Sequence, residues 1–218
     1  MVKVERSYPA PLSLAEEKKK ASGSYCKVDV VNQLRHDFGN KCYLCEISEL
    51  QDPQVEHLIP HKGTNRDLEF DWDNLFLSCG HCNNVKNQRE YDEGIIDCCK
   101  IDPETVLDFH FDMEAVHITT KRDNDEEALR TAKLLNSIYN KSNTGLRVLK
   151  CEIRVIQLYG QMNELYKLLT AHRDNPNDKL VMRKLSIVLN RKSAFAAFKR
   201  QFIRDNIADY PELEEYLV

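Results

Sequence analysis

No stretch of this chain is both apolar and long enough to cross a bilayer, since nothing approaches the ~18 consecutive residues that a span requires. The opening MVKVERSYPAPLSLAEEKKK lacks the apolar core of a secretory leader, so a cytoplasmic location with no membrane contact is expected. A surplus of positive charge is missing as well. Lysine and arginine total 31 against 35 aspartates and glutamates, a formal charge of −4. That balance excludes a global basic field able to capture nucleic acid unaided, so phosphate contact has to come from a local patch or a partner. Internal repeats and low-complexity tracts are also absent. With 218 residues, 42% of them hydrophobic, the chain has the size of one domain or of one domain with an extension.

One basic patch is present. RKSAFAAFKRQFIR holds Arg191, Lys192, Lys199, Arg200 and Arg204 without an acid, and the closing DNIADYPELEEYLV is acidic in compensation. A solvated helix face and a phosphate-contacting face both fit that pattern.

Cysteine is plentiful, with eight residues, and in a cytoplasmic chain metal ligation outranks disulfide formation. Cys42 and Cys45 form CYLC, Cys79 and Cys82 form CGHC, and 33 residues separate the two pairs. A redox CxxC needs only one such pair. Two pairs supply the four thiolates of a tetrahedral structural Zn²⁺ site. His81, inside the second knuckle, is a substitute ligand by position. Cys26, Cys98, Cys99 and Cys151 have no partner at such spacing and are expected to be buried free cysteines.

The periodicity divides the chain into an arm over residues 1–25, a zinc-stapled module over 26–110 and a helical region over 111–218. CKVDVVNQLRHDF has helical spacing at Val28, Val31, Leu34 and Phe38, and Gly39–Asn40 stops it. QVEHLIP and WDNLFLSC read as strands joined by the polar loop KGTNRDLEF, and NNVKNQRE reads as a short helix. Beyond residue 125 come EEALRTAKLLNSIYN, the long TGLRVLKCEIRVIQLYGQMNELYKLLTAH, DKLVMRKLSIVLN and SAFAAFKRQFIRDN, with Ser193 as the expected N-cap of the last. The expected fold class is α+β. Phe70, Trp72 and Phe76 read as core, and Asp71 and Asp73 as solvated or capping acids.

The two knuckles bracket Glu56–His57 in VEHLIPH and Asn74 in WDNLFLSC, and Asn83 follows the last cysteine. In this order the segments resemble the HNH endonucleases. The resemblance implies a ββα-metal (His-Me finger) module with the first histidine on a strand, the asparagine in the intervening loop and the third residue on the helix after the second knuckle. It makes His57 the general base, a role suited to an imidazole with a pKa of ~6.5. It makes Asn74 the element that orients His57, and Glu56 with Asn83 the holders of a catalytic cation. A carboxylate and an amide oxygen are hard ligands, so Mg²⁺ or Mn²⁺ is expected there. The third position carries Asn rather than His, and Glu56 stands where Asp is commoner. Lys86 and Arg89, on the expected helix, are candidates for contacting substrate phosphate. His61 has no role in the pattern.

A narrower likeness extends from residue 3 to about 100 and more loosely beyond. ERSYPAPLSLAEEKKK, NKCYLCE, VEHLIPHK, DWDNLFLSCGHCNNVK and GIID together resemble the PtuB-type HNH nucleases of Septu antiphage systems, which also occur beside retrons. This implies a defence effector acting with a PtuA-like ATPase related to SMC and ABC ATPases. In retron versions a reverse transcriptase with its multicopy single-stranded DNA joins the assembly, and the helical region is the expected docking surface. Two other readings stand beside the nuclease: a catalytically idle zinc-stapled scaffold that binds partners, and a sequence-specific nucleic-acid binding module. No RRM, KH or OB signature separates a DNA target from an RNA target.

Overall fold

Pro9 and Pro11 keep the opening residues out of a helix, and α1 (Leu12–Lys18) starts directly after the second of them. The computed structural model describes residues 1–140 and 144–217. Residues 141–143 and Val218, within the region expected to be helical, lie outside the described residues. Helix α2 (Val28–Asp37) buries Val30 and Leu34 and leaves Val28 exposed, and it ends where Gly39 and Asn40 both adopt left-handed backbone. Strand β1 (Pro53–His57), the short α3 (Arg66–Glu69), β2 (Leu75–Cys79) and α4 (Gly80–Lys86) then form the segment between and after the knuckles. Strands β1 and β2 pair antiparallel, with Glu56 opposite Phe76 and His57 opposite Leu75.

The region from 107 onward is not helical throughout. It opens with a hairpin of β3 (Leu107–Phe111) and β4 (Val116–Thr120), and the expected boundary at 110–111 falls inside β3. The alternating burial of LDFHF and VHITT gives this hairpin one apolar face. Helix α5 (Glu126–Asn140) packs against β4, and α8 (Ala196–Asp205) against β3. The long α6 (Gly145–Asp174), capped by Thr144, lies against α5, α8 and α7 (Lys179–Val188). Buried apolar side chains from Met1 to Leu213 form one continuous core. The result, among the described residues, is a mixed α/β chain with two small sheets and a mostly helical C-terminal half.

The N-terminal arm is stitched into this core. Met1, Val2 and Val4 are buried, and the Val4 amide donates to the Cys98 carbonyl. Arg6 lies over the rings of Phe38, Trp72 and Phe76 and donates to the carbonyls of Trp72 and Leu75. Asp71 caps the turn at Trp72–Asn74, as its position suggested.

Two sequence expectations about the last helix change. Ser193 is not its N-cap, because its hydroxyl donates to the Val188 carbonyl, and Phe195 at φ 51° precedes the helix without a side-chain cap. Glu46 supplies the cap instead from the first knuckle, its carboxylate accepting from the amides of Ala196 and Ala197 at 3.0 and 3.2 Å. The same carboxylate pairs with Lys41 at 2.7 Å and with the Met1 amino group at 2.5 Å. Burial pushes its pKa up, but Lys41 and the amino group outweigh that and hold it at about 2. Most of the basic patch is likewise engaged, with Lys192 left exposed. Arg191, Arg200 and Arg204 converge on buried Glu104, Arg200 is 1% exposed, and Lys199 is buried.

Removing Glu46 strands Lys41 in the core and uncaps α8. Glu46→Ala is expected to lower unfolding free energy by about 3–5 kcal/mol, as breaking a buried pair does. Urea denaturation of the zinc-loaded protein measures this, and a loss below about 1 kcal/mol, the range of a surface pair, contradicts it.

Candidate functional site

The zinc centre comes first because it fixes everything near it. The first knuckle turns tightly, with the Cys42 amide donating to the Ile47 carbonyl and the Glu46 amide to the Cys42 carbonyl. The Tyr43 amide donates to the Leu77 carbonyl, which locks the turn to β2. The second knuckle runs off the end of β2 into α4. A Cβ on Gly80 would lie 2.0 Å from the carboxylate of exposed Asp52, so a larger residue in the CGHC turn requires that side chain to swing aside. The Sγ atoms of Cys42, Cys45, Cys79 and Cys82 are all buried and lie within 4.8 Å of one another. Zinc–sulfur bonds of ~2.3 Å in a tetrahedron place sulfurs about 3.8 Å apart. The Cys45–Cys79 separation is 3.9 Å, so the cluster fits a structural Zn²⁺. His81 stays outside it, since its Nε2 meets the Ile138 carbonyl and burial beside Arg154 holds its pKa down to about 4. Of the remaining cysteines, Cys98 and Cys151 are buried, Cys99 is half-buried and Cys26, against expectation, is exposed.

Strand pleating then sends Glu56 and His57 to opposite faces of β1. His57 turns toward the polar loop between the strands. Its Nε2 lies 3.0 Å from the Glu69 carbonyl, an atom that only accepts, so Nε2 carries the proton and Nδ1 the lone pair. The half-buried ring meets Tyr25 edge-on at 4.6 Å between centroids, and His61 tilts against it at 4.5 Å. Burial lowers the His57 pKa, with the Glu69 carbonyl opposing, so the imidazole is neutral near pH 7. Asn74 does not touch this ring. Its Oδ1 accepts from the Ile59 amide and its Nδ2 donates to the carbonyls of Ile59 and Leu68, which pins the loop that carries Glu69. Its link to His57 is therefore indirect, through the loop backbone.

Glu56 points the other way and is 4% exposed. One oxygen accepts from the Tyr43 hydroxyl at 2.6 Å and the other pairs with the Lys86 ammonium at 2.6 Å. Burial raises the Glu56 pKa, while Lys86 and Tyr43 pull it down. Lys86 also donates to the carbonyls of His57 and Leu58, both at 2.9 Å. All three ammonium protons are thus used, and the side chain is buried. The expected role of Lys86 as a phosphate contact is corrected: it is the internal counter-ion of Glu56 and a brace on β1. Arg89 sits in the turn after α4, not on the helix, and is exposed.

His57, Asn83, Arg89, His61 and Tyr25 line one cleft of about 500 Å³, and Glu56 with Lys86 forms part of its wall. Asn74 is not among the lining residues. Sequence reasoning missed Tyr25, His61 and the Glu69 carbonyl. Tyr25 lies 30 or so positions ahead of His57 in a segment with no strand or knuckle signal, and a backbone carbonyl leaves no mark in a sequence.

The HNH endonuclease family model matches residues 42–89, from the first knuckle cysteine to Arg89. All four cysteines of the cluster fall within the matched segment, as do most residues that line the cleft, Tyr25 and Asp92 being outside it. No curated protein and no solved structure matches the chain.

The buried and exposed cations separate cleanly in a stability test. Lys86→Met leaves Glu56 buried without its partner and is expected to lower unfolding free energy by about 3–5 kcal/mol. Arg89→Ala removes an exposed side chain and is expected to stay within about 0.5 kcal/mol of the parent protein. Equal stability of the two variants in urea contradicts the assignment of Lys86.

Proposed function

We propose that residues 42–89 hydrolyse phosphodiester bonds of a nucleic acid, with His57 as the general base. The observation that carries this is the His57–Glu69 hydrogen bond, which fixes the neutral tautomer with Nδ1 free to take a proton. A water held by His57 loses its proton to Nδ1 and attacks phosphorus in line with the leaving oxygen. Asn74 keeps the loop, and hence the imidazole, in place, and exposed Arg89 at the rim takes a phosphate oxygen. A hard divalent cation, Mg²⁺ or Mn²⁺, when bound supplies charge stabilisation at the leaving oxygen. Glu56 and Asn83 are the residues we assign to hold it, and their oxygen donors suit such an ion. Lys86 occupies one Glu56 oxygen, so cation binding requires the ammonium to withdraw.

That same ion pair favours a second reading: a zinc-stapled scaffold whose site is idle because Lys86 already satisfies Glu56. The two readings differ in whether a divalent cation competes with the ammonium.

On the resemblance of its quoted segments we further propose that the protein is an antiphage effector working with a PtuA-like ATPase, and in retron settings with a reverse transcriptase and its single-stranded DNA. Two observations support delegation of nucleic-acid capture to a partner. The chain carries a net charge of −4, and the arginines of its one basic stretch are engaged by Glu104. In addition, α6 leaves Leu146, Leu149, Ile153 and Ile156 exposed on one face, a heptad-like stripe suited to a partner helix.

The purified protein is to be incubated with DNA and with RNA, with Mg²⁺ or Mn²⁺, in the presence and absence of the ATPase. Cleavage is expected, and His57→Ala is expected to abolish it with zinc content and melting temperature unchanged. Cleavage that survives in His57→Ala removes the base assignment. Absence of cleavage under all these conditions favours the idle scaffold.

A further inference from the structure

The zinc centre receives a contact from far outside the 42–89 segment. Arg154, on α6, is 7% exposed and donates from Nη2 to the Cys79 sulfur at 3.0 Å. Its Nη1 donates to the Lys150 carbonyl one turn back, which aims the guanidinium across the helix. Its Nε is buried without a partner among the described residues. An orphaned buried donor is unfavourable, so packing alone is a poor account of an arginine at this position. The Cys79 sulfur provides a better one. Four thiolates around Zn²⁺ leave a net charge of −2 in a buried site, where uncompensated charge is strongly disfavoured. A guanidinium at hydrogen-bond distance offsets part of that charge and lowers the availability of the Cys79 lone pairs to protons and electrophiles.

The surroundings hold the arginine there. The Tyr139 hydroxyl at the end of α5 donates to the Cys45 carbonyl at 2.8 Å. His81 Nε2 and the Cys151 thiol both meet the Ile138 carbonyl, one from the second knuckle and one from α6. The end of α5 and the first half of α6 therefore grip both knuckles.

We propose that Arg154 is a zinc-holding residue, a charge-compensating donor to the Cys79 thiolate through which the helical half of the chain keeps the metal in the nuclease domain. The helical half is then part of the metal centre and not a detachable docking module. The inference does not depend on whether the cleft hydrolyses anything, because it is read without substrate.

The test uses the full-length, zinc-loaded chain and measures zinc transfer to an excess of a chromogenic chelator. Loss of an outer hydrogen-bond partner typically weakens metal binding 10–100-fold. Arg154→Met is expected to release zinc roughly 10–100 times faster than the parent protein. Leu158→Ala, one turn along the same buried face and without a sulfur contact, is expected to release it at less than a third of the Arg154→Met rate. The Co²⁺-substituted protein provides a signature that loosened packing does not produce. The sulfur-to-cobalt charge-transfer band is expected to move to longer wavelength in Arg154→Met and to stay in place in Leu158→Ala. Should Arg154→Met fail to fold, Arg154→Lys, which keeps the charge without the planar fork, carries the same measurements with a smaller expected change in the same direction. Parent-like release and an unmoved band in the arginine variant overturn the proposal, and so does release from Leu158→Ala as fast as from Arg154→Met.

Discussion

Four sulfur atoms drawn within 4.8 Å of one another are the constraint on which the rest of the candidate site depends. The sheet they staple has two strands of five residues, too little to stand alone in water. With the knuckles joined, β2 has a fixed start for α4, β1 has a fixed neighbour, and Asn74 at the end of the long connection between them pins its backbone. The imidazole of His57 is then oriented by a backbone carbonyl, without a dedicated acidic side chain. The cleft is a consequence of that chain of constraints.

The charges of this protein follow one logic. Glu46, Glu56 and Glu104 are buried carboxylates, and each is paired with at least one cation, from nearby Lys41 at Glu46 to the C-terminal arginines at Glu104. Glu46 joins the first knuckle to α8, Glu56 joins β1 to α4, and Glu104 gathers three arginines from the C-terminal region. Arg154 repeats the theme with sulfur in place of oxygen. Arginines that look available for nucleic acid in the sequence are in this way consumed internally, while at the cleft Arg89 is exposed and Lys62 pairs with Asp92.

Much of this was legible beforehand because it depends on local spacing. The doubled CxxC, the strand that ends at Glu56–His57 (shorter than the expected QVEHLIP), the stop at Gly39–Asn40 and the helices after residue 125 all encode their structure within a few residues. What was not legible depends on contacts across long separations. Ser193 looked like an N-cap because serine suits that position, but Glu46 reaches α8 from about 150 residues away and displaces it. Lys86 looked like a phosphate contact because helix cations are usually exposed, and nothing local announces that Glu56 lies beneath it. The β3–β4 hairpin was absorbed into an expected helical half because its strands are only five residues long, and alternation over LDFHF is a weak signal. Asn74 was expected to orient His57, yet its hydrogen bonds go to the loop backbone and not to the imidazole, a contact that no local pattern announces.

The single tryptophan reports directly on the central constraint. Trp72 is 4% exposed and sits in the turn that leads into β2, with its indole nitrogen donating to the Ser7 carbonyl. The decisive measurement is metal analysis of the purified chain combined with its tryptophan emission before and after zinc removal by a chelator. Bound zinc in a one-to-one ratio, with an emission that shifts to longer wavelength on removal and returns on adding Zn²⁺, is the predicted result. A chain that carries no zinc, or one whose emission is unchanged once the metal has gone, contradicts the account.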